Sequence, residues 1–156
     1  MNTTEGEYRL QLERTFRRFD ETIRQQILDF TKETLPSDTI CVDFSLYLSG
    51  HDFDSFPLNP IPMSRDGGYN EWGSFFSSAP FDFPSNLSPF SEEWEEVGDT
   101  CNIFLDEIAK WFGSLWESSV TDYPHPVFVN EVGGDLTAYS ISAHRWFMDE
   151  QRFSSG

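Results

Sequence analysis

Histidines and carboxylates are the residues of this chain that could carry catalytic or metal chemistry. The imidazole of His51 and the carboxylates of Asp52 and Asp54 are ordinary types of metal ligand. Their spacing matches no specific ligand motif, and neither His125, between two prolines, nor His144 adds one. We therefore predict no metal and no cofactor, and we keep a small metal-dependent hydrolase at His51, Asp52 and Asp54 as one alternative function.

Motifs for nucleophilic or phosphate chemistry are missing from the sequence. There is no Gly-x-Ser-x-Gly elbow, no Cys–His motif, no Gly-x-x-x-x-Gly-Lys loop and no Gly-x-Gly-x-x-Gly loop. The acid pairs Glu92-Glu93 and Glu95-Glu96 occur among 27 acidic residues, so their adjacency says little about acid–base roles. We predict a protein that is not an enzyme.

Charge is distributed unevenly along the 156 residues, which carry 10 basic and 27 acidic side chains and a formal charge of −17. Residues 1–32 contain equal numbers of both signs, so the whole excess lies after them. Such a surface repels nucleic acid and anionic lipid and attracts a basic protein by electrostatic steering. We expect a basic protein partner, and neither a nucleic acid nor a membrane.

Acidic and aromatic residues are interleaved between His51 and Asp99. Aromatic anchors surrounded by charge are typical of protein-binding surfaces, since buried aromatics supply affinity and rim charges supply steering. In the alternative, every aromatic is in the core and the acids form a solvated face. We predict Trp72 or Trp94 as the anchor, and a partner-binding surface formed by Asp52, Asp54, Asp66, Glu71, Trp72, Asp82, Glu92, Glu93, Trp94, Glu95, Glu96 and Asp99.

Two helices should position these residues. Apolar side chains from Tyr8 to Phe30 recur every three or four residues, which predicts one continuous amphipathic helix. Thr4 and Glu7 have the capping-box spacing at its start, and Pro36 marks its stop. A second helical region covers residues 91–119, where Gly98 separates a short acidic turn from a main helix with Asp99 as N-cap.

Strands follow from alternation and from turn residues. Thr39–Leu48 alternates with one apolar face and one mixed face, as expected of a sheet covered by a helix on one side. Prolines in residues 49–90 should interrupt any regular ladder there, and the tail after Trp146 is weakly patterned. The other predicted strands are Leu58–Met63, Gly68–Ser74, Val127–Val132 and Leu136–Ala143, the last two joined by a Gly133-Gly134-Asp135 turn.

These elements predict an α+β fold, with a mainly antiparallel sheet packed against the N-terminal amphipathic helix and a second long helix in a single domain, residues 1–156. An aromatic content of 17% argues against disorder. No apolar run is long enough to span a bilayer and no signal peptide is recognised, so we expect a cytoplasmic protein with Cys41 and Cys101 as free thiols. The oligomeric state stays open.

The last predicted hairpin, VFVNEVGGDLTAY at residues 127–139, resembles the strand–Gly-Gly-Asp–strand hairpin of bacterial polymorphic-toxin immunity proteins, including the SMI1/KNR4-like group. The small acidic α+β character and the N-terminal amphipathic helix are similar in style. The resemblance implies a bacterial protein that binds a cognate toxin domain, often a basic nuclease, and blocks it. A DNA mimic that inhibits a DNA-processing enzyme, with carboxylates in place of phosphates, is another alternative.

Overall fold

A computed structural model of the chain describes residues 4–46, 56–69, 75–76, 81–131 and 137–148. These residues form three α-helices, two short 3-10 helices and a six-stranded sheet, which confirms the α+β class. The α-helices are α1 (Glu5–Arg17), α2 (Asp20–Thr31) and α3 (Thr100–Ser119), and the 3-10 helices are Ser85–Leu87 and Glu92–Trp94. The strands are β1 (Cys41–Leu46), β2 (Leu58–Ser64), β3 (Gly67–Gly68), β4 (Val127–Glu131), β5 (Thr137–Ser140) and β6 (Arg145–Met148).

The sheet has the order β3-β2-β1-β4-β5-β6. Its central pair, β1 with β4, is parallel, and the other four pairs are antiparallel. Strand β6 was not predicted, because the sequence around and after Trp146 is only weakly patterned. The strand forms because Trp146 pairs with Tyr139 of β5, ring centroids 5.4 Å apart, and Arg145 lies 4.6 Å from the Phe147 ring centre.

Two prolines lie inside β2 without interrupting its pairing with β1, contrary to the prediction of a broken ladder. Pro60 is opposite Phe44 and Pro62 is opposite Val42. The carbonyl of Pro62 points away from β1 and accepts a hydrogen bond from the backbone N–H of Tyr69. The carbonyl of the next residue, Met63, points toward the β1 side and accepts from the backbone N–H of Ile40, just before β1. The missing N–H groups of both prolines therefore face away from β1, where the ladder needs no donor.

The predicted N-terminal helix is in fact two helices. Thr4 caps α1 as expected, its hydroxyl accepting from the backbone N–H of Glu7 at 3.1 Å. The chain leaves helical geometry at Phe19, which has φ −104° and ψ 7° and starts α2. The Phe19 ring packs on Phe81, with centroids 4.6 Å apart. The apolar spacing continues unchanged across the break, so the sequence pattern does not reveal it.

The main core lies between the helices and the sheet and is rich in phenylalanine. Phe44 of β1 contacts the rings of Phe30, Phe76, Phe112 and Trp116, so it connects α2 and α3 to the sheet. In α3, a Cβ on Gly113 would lie only 3.3 Å from Tyr139, so the helix and β5 approach closely there. Within the described residues, no helix has the length and apolarity needed to cross a bilayer.

Strand β1 is buried on both faces, although only one of them is fully apolar. A second apolar cluster on the other face contains Cys41, Phe128 and Ala138. Asn130 connects two polar residues of that face, because its amide nitrogen donates to Asp43 at 3.2 Å and its amide oxygen accepts from the Ser45 hydroxyl at 2.8 Å. Cys101 is a free thiol, as predicted.

Candidate partner-binding surface

The segment of residues 82–99, which we call the acidic segment, is fixed to the helices by buried aromatic side chains. The Trp94 ring is 3% exposed and packs on Tyr8 of α1, with centroids 4.8 Å apart. Its indole N–H donates to the carbonyl of Asn86 at 2.7 Å, and the Tyr8 hydroxyl donates to the carbonyl of Leu87 at 2.9 Å. These contacts hold both 3-10 helices in place and fix which residues face outward.

Hydroxyl groups fix the backbone of the acidic segment further. Ser91 precedes the second 3-10 helix, and its hydroxyl accepts from the backbone N–H of Glu93 at 3.3 Å. The Thr100 hydroxyl at the start of α3 donates to the carbonyl of Pro89 at 2.6 Å. Gly98 has φ 73° and Asp99 φ 53°, so two left-handed residues separate the acidic turn from α3. The predicted break at Gly98 is confirmed.

Asp99 occupies the N-cap position of α3, as predicted, but its side chain does not cap the helix. Its carboxylate instead accepts from the amide of Asn102 at 2.8 Å. The left-handed backbone of Asp99 explains the difference, since capping side chains normally project from an extended residue. The carboxylate stays exposed.

The exposed side chains of the acidic segment include both carboxylates and a phenyl ring. Phe90 is 59% exposed, directly before Ser91 and the glutamates. None of the segment's carboxylates forms an ion pair with a basic side chain of the described residues. The exposed carboxylates are those of Asp82, Glu92, Glu93, Glu95, Glu96 and Asp99.

The ion pairs that the described residues form lie elsewhere, mainly on α1 and α3. Arg9 donates to Asp106 at 2.7 Å and to Glu107 at 3.0 Å, and Lys110 lies 2.8 Å from Asp106. Arg17 pairs with Glu13 in the same helix. These paired cations neutralise helix carboxylates, and none of the ion pairs among the described residues includes the acidic segment.

The predicted site residues fall into three groups. The acids of residues 82–99 lie together on the acidic segment. Asp66 is exposed in the turn between β2 and β3, at the sheet edge, and is not part of that segment. Asp52, Asp54, Glu71 and Trp72 lie outside the described residues, as does the alternative metal ligand His51.

The role of exposed anchor predicted for Trp94 does not fit its position, because its ring lies in the core and positions the segment from beneath. Phe90 is the aromatic residue that the structure exposes beside the acids, and it was missed as a candidate. Trp94 lies between glutamates in the sequence and Phe90 lies two residues before Glu92, so composition alone does not separate them. The 3-10 geometry of Glu92–Trp94 decides the matter by directing Trp94 toward Tyr8.

Groups suited to catalysis are not assembled in the part of the chain that the structure describes. No three His, Cys, Asp or Glu side chains among these residues are placed to hold a metal ion. Burial, with the nearby carboxylates of Glu131 and Asp99, raises the pKa of Cys101, so its sulfur stays a protonated thiol rather than a nucleophilic thiolate. Ser142 and His125 line one cleft, but no hydrogen bond joins them into a nucleophile–base pair.

Comparison of the chain with protein-family models, with curated proteins and with solved structures found no match in any of the three. Function therefore has to follow from the residues and their geometry.

Proposed function

We propose that this chain is a non-catalytic binding domain that captures and neutralises a basic protein through the acidic segment. The observation that carries the proposal is Phe90, an exposed aromatic ring just before four exposed glutamates at positions 92, 93, 95 and 96, which form no ion pair with any basic side chain of the described residues. An aromatic anchor with a charged rim is the arrangement that interface hot spots favour.

Electrostatics supports a basic partner in particular. Unpaired carboxylates this close together repel one another, and a cationic partner surface would relieve that repulsion on binding. The backbone beneath them is held by Trp94, Tyr8 and Thr100, so little conformational entropy is lost when the segment is bound. Preformed complementary charge mainly accelerates association, whereas burial of Phe90 would slow dissociation.

In its finer form, the proposal is that the domain is an immunity protein that inhibits a cognate, nuclease-like bacterial toxin. The resemblance of the residue 127–139 hairpin to immunity proteins supports this reading, as does the net charge of −17. A nuclease must carry a basic surface to bind phosphates. The carboxylates of the acidic segment would occupy that surface and exclude the substrate.

Affinity capture with two matched variants tests the proposal. One variant removes four charges from the acidic segment (Glu92→Gln, Glu93→Gln, Glu95→Gln and Glu96→Gln). The control removes four charges from exposed acids elsewhere that form no ion pair (Glu7→Gln, Asp29→Asn, Glu33→Gln and Asp122→Asn). Both variants change the formal charge equally, so a difference in partner retention between them would depend on where the charges lie and not on the total charge.

The immobilised wild-type domain should retain one stoichiometric basic protein from lysate of its own organism at low salt and release it at high salt. The acidic-segment variant should lose that protein, and the control should keep it. Equal retention by both variants would contradict the assignment of the surface. The identity of the captured protein separates a toxin from a DNA-processing enzyme.

Kinetics with the purified partner separates the two parts of the surface. The acidic-segment variant should associate about tenfold more slowly, because steering is lost. Phe90→Ala should leave association nearly unchanged and raise the dissociation rate about tenfold or more, because an anchor ring is lost. A Phe90→Ala variant that dissociates at the wild-type rate would remove the ring from the interface.

A further inference from the structure

A small cleft lies away from the acidic segment, between the end of α3 and the start of β4. Its volume is about 210 Å³, below the roughly 300–1,000 Å³ typical of pockets for drug-sized ligands. It therefore suits a group of a few heavy atoms. The residues that matter for its chemistry are Trp116, Glu117, Tyr123, His125 and Ser142.

Three aromatic rings form one wall of the cleft at fixed angles. Tyr123 meets Trp116 edge to face, with centroids 5.1 Å apart and planes at 87°, and meets His125 at 5.9 Å and 73°. Pro124 and Pro126 fix the backbone on both sides of His125. Asp122 before this loop has a left-handed φ of 57°. The wall is thus built from restrained backbone, so the rings are preorganised.

The polar groups that line the cleft can accept hydrogen bonds, and none of them carries a positive charge at neutral pH. The Tyr123 hydroxyl, the His125 ring nitrogens and the Ser142 hydroxyl make no hydrogen bond with the described residues. Burial lowers the pKa of His125 and raises that of Tyr123 to about 12, so both are neutral at neutral pH. No lysine or arginine of the described residues lines the cleft.

Glu117 supplies the negative charge at this cleft. Its carboxylate is 44% exposed and is paired with Nε2 of His144, a residue held at φ 57° in the turn between β5 and β6. The arrangement places a carboxylate in a cleft lined by aromatic rings and neutral acceptors. Such surroundings favour a ligand that is cationic, planar or compact, and rich in N–H donors.

We propose that this cleft binds a single organic cation, with guanidinium preferred over ammonium. The aromatic faces of Trp116 and Tyr123 would attract the cation, and Glu117 would accept its N–H groups. Guanidinium is preferred because it is planar, weakly hydrated and able to stack on rings. This site is independent of the acidic segment and of the function proposed for it. Its ligand is either an arginine side chain of a protein or a free guanidino compound.

The first test is an NMR titration of the intact protein with methylguanidinium, beside the neutral isostere methylurea. Methylguanidinium should cause saturable shifts of the Trp116 indole N–H and of the Tyr123 and His125 ring signals, with a dissociation constant on the order of millimolar. The Trp116 signal is assigned by its loss in Trp116→Phe. The absence of saturable shifts at these three residues, or equal shifts with methylurea, would overturn the proposal.

Charge variants then separate this site from the general acidity of the protein. Glu117→Gln should weaken methylguanidinium binding at least about threefold, whereas Glu33→Gln, an equal charge change at an exposed site outside the cleft, should not. His144→Asn should strengthen binding, because it frees Glu117 and asparagine tolerates the left-handed backbone. Equal weakening by Glu117→Gln and Glu33→Gln would mean that methylguanidinium is attracted by net charge alone, and would refute the site.

Two further probes identify the source of the cation. The capped peptide acetyl-Gly-Arg-Gly-amide should bind at least as tightly as methylguanidinium if the cleft receives an arginine side chain of a protein. Binding of agmatine together with exclusion of the peptide would instead assign a free guanidino compound. Failure of both probes would overturn the proposal even if methylguanidinium caused shifts, since neither biological source would then fit.

Discussion

Replacing Trp94 by alanine should destabilise the protein strongly, because the structure makes this residue a core contact of the acidic segment. The ring is 3% exposed, packs on Tyr8 and donates a 2.7 Å hydrogen bond to the carbonyl of Asn86. An exposed interface anchor would behave differently, since its loss would affect binding and leave folding unchanged. The free energy of unfolding therefore separates the two roles.

The magnitude follows from the area that the ring buries. A buried tryptophan removes roughly 150–250 Å² from water, and at about 25 cal/mol per Å² this corresponds to about 4–6 kcal/mol as an upper estimate. Truncation of aromatic residues to alanine in protein cores costs about 3–5 kcal/mol. Asn86 is exposed, so water replaces the lost donor and adds little to the cost. We expect a loss of about 3–5 kcal/mol and a fall in Tm of roughly 6–20 °C.

Urea denaturation followed by far-ultraviolet circular dichroism measures this loss. Because Trp94→Ala could unfold the chain outright, Trp94→Phe is measured beside it. Phenylalanine keeps a ring against Tyr8 but is smaller than the buried indole, so this variant should lose less stability than Trp94→Ala, with an unchanged m value. A Trp94→Ala protein within about 0.5 kcal/mol of the wild type, the range of ordinary surface substitutions, would refute the core role of Trp94.

Three further outcomes are expected from denaturation curves. Tyr8→Phe should cost about 1–2 kcal/mol, because it leaves the carbonyl of Leu87 without its 2.9 Å donor; an unchanged stability would mean that this bond does not hold the segment. Gly113→Ala should destabilise the protein although alanine favours helices, because the new Cβ would lie 3.3 Å from the buried Tyr139 ring. The control is Ser114→Ala at an exposed position of the same helix, which should be neutral or stabilising by up to about 0.5 kcal/mol. A stabilised Gly113→Ala would contradict the close approach of the helix to Tyr139. Burial raises the pKa of Asp106, but hydrogen bonds from Lys110, Arg9 and Trp146 outweigh it and leave the pKa below its ordinary value of 3.8. The ionised carboxylate therefore stabilises the fold above that pH, and this stabilisation is lost as the pH falls through the lower folded value. The stability deficit of Asp106→Asn relative to the wild type should shrink between about pH 6 and pH 3, and a constant deficit would mean that ionisation is not involved.

Local pattern predicted those elements whose burial repeats at a regular period. β1 and the β4–β5 pair follow from alternation and β-branched residues, and α3 follows from its apolar stripe. β6 could not be predicted, because Ser140 makes the preceding turn without glycine or proline. Its carbonyl accepts from the backbone N–H of His144, and its hydroxyl accepts from that of Ala143. The division between α1 and α2 was equally hidden, since tertiary packing of Phe19 redirects the chain without changing the period.

The sequence predicts that the candidate surface is acidic, but it does not predict which aromatic side chain is exposed there. The excess of acids among residues 82–99 is visible in the sequence, and the structure leaves those carboxylates unpaired with described cations. Which aromatic residue is exposed beside them depends on Trp94 reaching Tyr8, a residue far away in the chain. The cleft at Glu117 joins α3, the loop before β4 and the β5–β6 turn. No local pattern brings such distant residues together.

The central parallel pair has a consequence for synthesis of the chain. β1 pairs with β2 soon after both leave the ribosome, but its other neighbour is β4, and the contact of Ser45 with Asn130 spans 85 residues. At a translation rate of about 5–20 residues per second, β4 is synthesised roughly 4–17 s after β1, and the second edge of β1 has no partner strand during that time. An apolar strand with a bare edge is a template for wrong pairing between chains. Translation speed across residues 47–126 should therefore influence the yield of folded protein more than translation speed after residue 131.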